Sequence, residues 1–260
     1  MDKEGNQMSE KVVKLRIEDK VAYVALEERE GKNTFTQRFI EDIKRAFVEI
    51  NASEQVNVVV VYGFDNYFCC GGTKEELLGL YDGINKDAST NFTEGKFYDV
   101  FLQCRVPVIA AMQGHAIGGG FALSCFADIM IMGEQCIYAA NYMKYGFTPG
   151  MGATYIVPYK MGKTLGAEMM YSARTYFGSE LKTRGVKSII VKKEDVLNTA
   201  IGMAKDIALK PRISLIALKD NLVEEIRKAL PEVIDKEIEM HKISFKQAEV
   251  LKSIHSRYKE

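Results

Sequence analysis

Apolar residues recur along this chain with two different periods. Val12 to Ile17 and Val21 to Leu26 flank the charged turn Glu18 to Lys20, which predicts a pair of β-strands. Phe39, Ile43, Phe47 and Ile50 then recur at three- and four-residue steps. With Thr36 as a cap they predict a helix reaching about Asn51. Val56 to Tyr62, Val106 to Met112 and Asp128 to Met132 are nearly continuous apolar runs, as in strands buried on both faces. A short helix of small residues is expected around Phe121 to Phe126. This alternation of strand, loop and helix predicts an α/β unit on a parallel sheet. After Lys163 the pattern turns helical, over Leu165 to Ser172, Ser179 to Arg184, Val196 to Leu209, Ile213 to Glu225, Glu232 to His241 and Gln247 to Arg257. Asp82 to Glu94 reads as a mobile surface loop, and Met1 to Glu10 as a frayed start.

At 260 residues and 47% apolar composition the chain can build one large core. Thirty-five basic residues balance thirty-five acidic ones, which argues against a strongly basic nucleic-acid binder. The apolar runs are too short to cross a bilayer, and no charged-then-apolar leader opens the chain. The expectation is a soluble, cytoplasmic protein. Five cysteines without metal-type spacing, two of them the adjacent Cys69 and Cys70, read as small buried thiols in a reducing compartment. Three scattered histidines give no metal-binding cluster.

Two glycine-rich segments carry candidate chemistry. Phe68-Cys69-Cys70-Gly71-Gly72-Thr73 follows one buried strand, and Gly114 to Ala122 joins another to a helix. Glycine lets a ligand approach backbone N–H groups, and the first N–H groups of a helix have no intrahelical partner. Two such amides converging on one oxygen would stabilise a thioester as it becomes an enolate. The alternative is tight helix–sheet packing. The G-x-G-x-x-G spacing of a dinucleotide site is absent.

Taken in order, these segments resemble the crotonase (enoyl-CoA hydratase/isomerase) superfamily from about Val12 to His241. Asn33-Thr34-Phe35, Phe68 to Gly72, Val106 to Ala111 with Gly114 and Gly118 to Gly120, and Gly146, Pro149, Gly150, Gly152 and Thr154 match its motifs in sequence. The resemblance implies the crotonase fold, a β-β-α spiral core, here with a helical C-terminal region. It implies a flexible stretch over 1–10, the core over 11–195, and a trimerisation or lid region over 196–260. It assigns the oxyanion amides to Gly72 and Gly119.

The same resemblance exposes departures. The two glutamates that activate water in hydratases fall at Ala122 and Tyr142. A methyl group accepts no proton, and a phenol is a poor base at neutral pH. Thr73 also replaces a family aspartate. Asn141 to Thr154, Met112 to His115 and Glu239 to Lys242 are similar to crotonase-like decarboxylases of polyketide β-branching cassettes. That group turns 3-methylglutaconyl on an acyl carrier protein into 3-methylcrotonyl, without a cofactor or metal. It implies His241 as the proton donor and a loop lysine that orients the carboxylate. Lys86 is the first choice, then Lys96, then Lys74. Asn33, Phe35, Ala122 and Tyr142 would line the substrate pocket, where Tyr142 either packs or bonds to the carboxylate. His115 would support the oxyanion loop. The implied partner is a carrier protein bearing a phosphopantetheine-linked acyl chain, and the implied assembly a homotrimer or hexamer. A CoA-ester isomerase or decarboxylase and a non-catalytic thioester-binding subunit stay open as alternatives.

Overall fold

The computed structural model describes residues 11–85 and 97–257. β1 (Val13–Glu18) and β2 (Val21–Leu26) form an antiparallel hairpin in register from Val13 opposite Leu26 to Glu18 opposite Val21. Asp19 and Lys20 both take positive φ, the turn whose twist suits a two-residue hairpin. α1 (Gln37–Ala52) starts where Thr36 Oγ1 accepts the Phe39 N–H at 3.2 Å. Its Phe39, Ile43, Phe47 and Ile50 are buried, as the spacing predicts.

A repeated plan follows. β3 (Val58–Tyr62) turns into β4 (Tyr67–Cys69) and α2 (Lys74–Asn85). After α3 (Val100–Gln103), β5 (Val108–Met112) turns into β6 (His115–Ile117) and α4 (Gly119–Cys125). β7 (Ile129–Gly133) turns into β8 (Ile137–Ala139), a 3-10 turn at Tyr142–Tyr145 and α5 (Ala153–Met161). The first strand of each pair enters a six-stranded sheet, β1-β2-β3-β5-β7-β10, and the second a four-stranded sheet, β4-β6-β8-β9. Each β-β-α unit is therefore one turn of a spiral. α6 (Lys163–Ser172), β9 (Tyr176–Phe177), α7 (Gly178–Thr183) and β10 (Ile189–Val191) complete both sheets. α8 (Val196–Ala208), α9 (Arg212–Ser244) and α10 (Ala248–Arg257) end the described chain.

Three expectations change. α8 sets Val196, Ala200, Ala204 and Ala208 on Val58, Val60, Ile109 and Ile131, so the sheet core continues past residue 195. The two helices expected across 213–241 are one 33-residue helix that runs through Pro231. A proline inside a helix costs about 3 kcal/mol. Buried Val223, Ile226, Leu230 and Ile234 on one stripe hold α9 together across that point. Of the loop expected over Asp82 to Glu94, Asp82 to Asn85 belong to α2, and 86–94 lie outside the described residues. All five cysteines are free, and four are buried. No helix among the described residues is long and apolar enough to cross a membrane.

A buried cation helps hold α9 to the core. Lys219 Nζ, on a side chain 1% exposed, donates to Phe101 O at 2.8 Å and Val106 O at 3.1 Å and lies 2.8 Å from Asp128 Oδ2. The same Asp128 oxygen accepts the Val108 N–H at 2.7 Å. Lys219→Met removes a buried cation from the partly exposed Asp128 carboxylate and from two carbonyls, and should lower unfolding free energy by at most about 3–5 kcal/mol. Urea denaturation reads this directly, and Asp128→Asn added to Lys219→Met should recover part of the loss. A loss within about 0.5 kcal/mol, the range of an ordinary surface change, would refute the burial argument.

Candidate active site

The site is assembled from loops that the two sheets bring together. Asn33 is fully buried in a left-handed conformation. Its Oδ1 accepts the Glu28 N–H at 2.8 Å, and its Nδ2 donates to Leu26 O at 3.0 Å and Phe68 O at 2.9 Å. That side chain is spent on main chain, so it pins the loop rather than facing a ligand. Beyond it Thr34 bridges to Gly71, and the Phe35 N–H donates to Gly71 O at 2.8 Å.

Main chain then packs on main chain. A Cβ at Gly71, whose φ is +80°, would lie 3.0 Å from the Gly119 nitrogen. One at Gly120 would lie 2.2 Å from Cys69 O. Only glycine permits this approach. It sets the Gly71–Gly72 turn against the N-terminus of α4, where the first bonds return from Phe121 and Ala122 to Gly118 O. As the first residue of α4, Gly119 has no intrahelical acceptor for its N–H. The Phe35 ring and Met151 Sδ lie over it, 2.6 and 3.0 Å from where its Cβ would be. The two loops that carry Gly72 and Gly119 thus meet, under an apolar cover.

One turn along α4, Ala122 is fully buried. Tyr142 is 7% exposed, and its hydroxyl has no hydrogen-bond partner among the described residues. Burial, with the charges of Glu237 and Cys125 as lesser causes, raises its pKa well above the phenol value, so it stays a donor. Glu237 of α9 is 1% exposed. It accepts from Gly152 N at 2.7 Å, Thr154 N at 2.9 Å and Thr154 Oγ1 at 2.6 Å. Burial raises its pKa against those three bonds. One turn further, His241 Nε2 lies 2.9 Å from Thr148 O, and its ring packs against Gly150 and edge-on to Phe245. Burial lowers the His241 pKa, outweighing the Thr148 and Pro149 carbonyls that raise it. Ser244 Oγ accepts the Thr148 N–H and also meets the Thr148 hydroxyl.

Lys86 and Lys96 lie outside the described residues. Lys74 opens α2, where Thr73 and Glu76 cap each other reciprocally at 3.1 and 3.0 Å. α2 has 12 residues, so its two ends stand about 17 Å apart. At the far end Asn85 Nδ2 donates to Phe245 O at 3.1 Å, four residues past His241. His115 Nδ1 accepts the Ile137 N–H at 3.0 Å, which ties β6 to β8. Burial pushes the Cys70 thiol up to about 11, and the buried Cys69 Sγ donates to Asn33 O at 2.9 Å. Glu237, Thr148 and Ser244 escaped the sequence reading. The signal for Glu237 and Ser244 was the spacing of polar residues 237, 241 and 244 on an otherwise apolar helix face, and Thr148 gave none.

This spiral, with paired glycine loops at the head of α4, defines the class. The enoyl-CoA hydratase/isomerase family model matches residues 16–260, and the chain belongs to that family. It is 44% identical over 252 residues to bacillaene synthase decarboxylase PksI of Bacillus subtilis (strain 168), covering 96% of this chain and 99% of that protein. A solved structure from a dehydratase/decarboxylase enzyme couple involved in polyketide β-branching superposes with TM-score 0.91 at 44% identity, covering 96% of this chain and all of the other. The ECH2 decarboxylase domain of CurF from Lyngbya majuscula follows at TM-score 0.88 and 34% identity, with the same 96% and 100% coverage.

The apolar wall around His241 has a measurable consequence. An NMR titration of its ring nitrogens in the ligand-free protein should give a midpoint below the ordinary 6.5. A midpoint above 6.5 would mean that an anion, rather than burial, governs this imidazole.

Proposed function

We propose that this chain is the decarboxylase of a polyketide β-branching system, converting 3-methylglutaconyl-acyl carrier protein to 3-methylcrotonyl-acyl carrier protein. The observation that carries the reading is the wall beside Gly119. Ala122 and Tyr142 are buried there, the Tyr142 hydroxyl has no hydrogen-bond partner among the described residues, and Glu237, whose charge acts on that hydroxyl, is already bonded three times. Such a wall holds an acyl chain without activating water. The likeness to the decarboxylase PksI and to the decarboxylase domain of CurF over nearly their whole lengths supports decarboxylation.

The thioester oxygen sits between the amides of Gly72 and Gly119. The bond between C4 and the carboxyl carbon breaks, and its electron pair runs through C3 and C2 onto that oxygen. Carbon dioxide leaves, and a proton returns to C4. The oxyanion amides stabilise the dienolate, so the electron pair needs no other sink. His241 delivers the proton, because the substrate carboxylate brings an anion to the buried imidazole and favours its charged form. Lys86 orients the carboxylate. Asn85 bonded to the end of α9 favours Lys86 over Lys74, which starts the opposite end of α2. Tyr142 and Phe35 line the acyl pocket beside Ala122, while Asn33 shapes the entry loop. The pantetheine arm of a carrier protein enters beside that loop. Exposed Ile213, Leu218 and Leu222 along α9 favour a homotrimer or hexamer, and five free thiols favour a cytoplasmic setting.

Carbon dioxide release from 3-methylglutaconyl on carrier protein and on CoA tests the reading. The carrier-bound substrate should turn over faster, and equal rates would transfer the function to CoA esters. No release from either would leave a thioester-binding subunit. Gly119→Pro removes an oxyanion donor and should lower kcat about 100- to 1,000-fold. His241→Ala should lower it about 100-fold or more, the usual worth of a positioned acid. An unchanged rate in His241→Ala would remove it from the mechanism.

A further inference from the structure

One face of α9 meets one loop at three successive turns. Glu237, His241 and Ser244 stand four and three residues apart and so line one side of the helix. Below, Glu237 takes the two N–H groups and the hydroxyl of Gly152 and Thr154 at 2.6–2.9 Å. Above, Ser244 Oγ accepts the Thr148 N–H at 3.3 Å and lies 3.1 Å from its Oγ1. Between them Thr148 O lies 2.9 Å from His241 Nε2. A carbonyl only accepts, so Nε2 carries the ring hydrogen. A Cβ at residue 150 would come within 2.5 Å of His241 Cε1, so Gly150 lets the ring rest on the loop's main chain.

A buried carboxylate is an expensive way to cap a nine-residue helix. The N-cap of α5 is Gly152, which has no side chain to cap with, and a local Ser or Asp normally serves. Capping α5 from α9 instead does what a local cap cannot. It fixes the loop that holds the imidazole to the helix that carries it.

We infer that Glu237, assisted by Ser244, is a positioning residue for His241, holding segment 148–154 so that the imidazole keeps one tautomer and one orientation. This rests on His241 acting in the proposed decarboxylation. The carboxylate acts through the loop and takes no proton from the substrate.

The test is a double-mutant cycle on carbon dioxide release from 3-methylglutaconyl-carrier protein, with Glu237→Leu made alone and in a His241→Ala background. Misplacing the imidazole should lower kcat about 10- to 100-fold. KM should stay within roughly twofold, because the loss falls on the chemical step. Glu237→Gln, which keeps one acceptor oxygen, should fall in between. In the His241→Ala background Glu237→Leu should change nothing further. Ring 15N shifts of the ligand-free protein should show a single Nε2–H tautomer in the wild type and a mixture in Glu237→Leu. Equal fold-losses with and without His241, or an unchanged ring spectrum, overturn the inference. If Glu237→Leu does not fold, Ser244→Ala and Thr154→Val carry the same comparison. Wild-type protein that releases no carbon dioxide would sink the decarboxylase reading alone, since the ring spectrum needs no substrate and still decides the positioning.

Discussion

Backbone touching backbone at Gly71 and Gly120 is the constraint on which the rest of this structure depends. With Cys69 O only 2.2 Å from where a Cβ on Gly120 would be, β4 and α4 can meet only if that side chain is missing. The contact joins β4, in the four-stranded sheet, to the head of α4. There the start of α4 faces a turn of two glycines that carries no side chain. Asn33 stabilises the contact from below by tying the ends of β2 and β4 to the entry loop. The chemistry proposed for the site uses main-chain donors, so its geometry is set by how closely the chain can approach itself.

The second constraint is the register of α9. Apolar burial holds that helix on the core but is non-directional, so it leaves sliding and rotation loosely specified. Polar contacts at intervals remove that freedom. Lys219 reaches Asp128 and two carbonyls, Arg227 donates to Leu102 O at 2.9 Å, and Glu237 caps α5. His241 and Ser244 meet Thr148, and Asn85 meets the end of the helix. Each of these contacts crosses at least 80 residues of sequence. A misplaced α9 leaves buried charges unpaired, which penalises it far more than lost apolar contact would. The imidazole inherits its position from this chain of contacts.

The long apolar runs and the α1 stripe were legible because a buried face repeats its period over many residues. Short elements were not. β4, β6, β8 and β9 hold two or three residues each, too few for any period, and they exist because neighbouring strands complete their ladders. The break expected near Pro231 was absent because tertiary packing outweighs one lost helical bond. At the site, the meeting glycine loops and the absence of carboxylates at 122 and 142 could be read from ordered motifs. The burial of Tyr142 and the commitment of Asn33 to main chain could not, since composition does not say where a side chain points.

By itself the sequence determined the α/β class, the α1 stripe, the buried strands and the residue types on which the chemistry must draw. These depend on neighbours within a few turns of the chain, where periodicity and glycine carry the information. Its ordered motifs, through the family they resemble, also anticipated the β-β-α spiral; only the tertiary structure decided that α9 is continuous and that Glu237 grips the loop beneath His241. Those are contacts between residues far apart in sequence, and their energy depends on distance and direction in space, which no local pattern encodes.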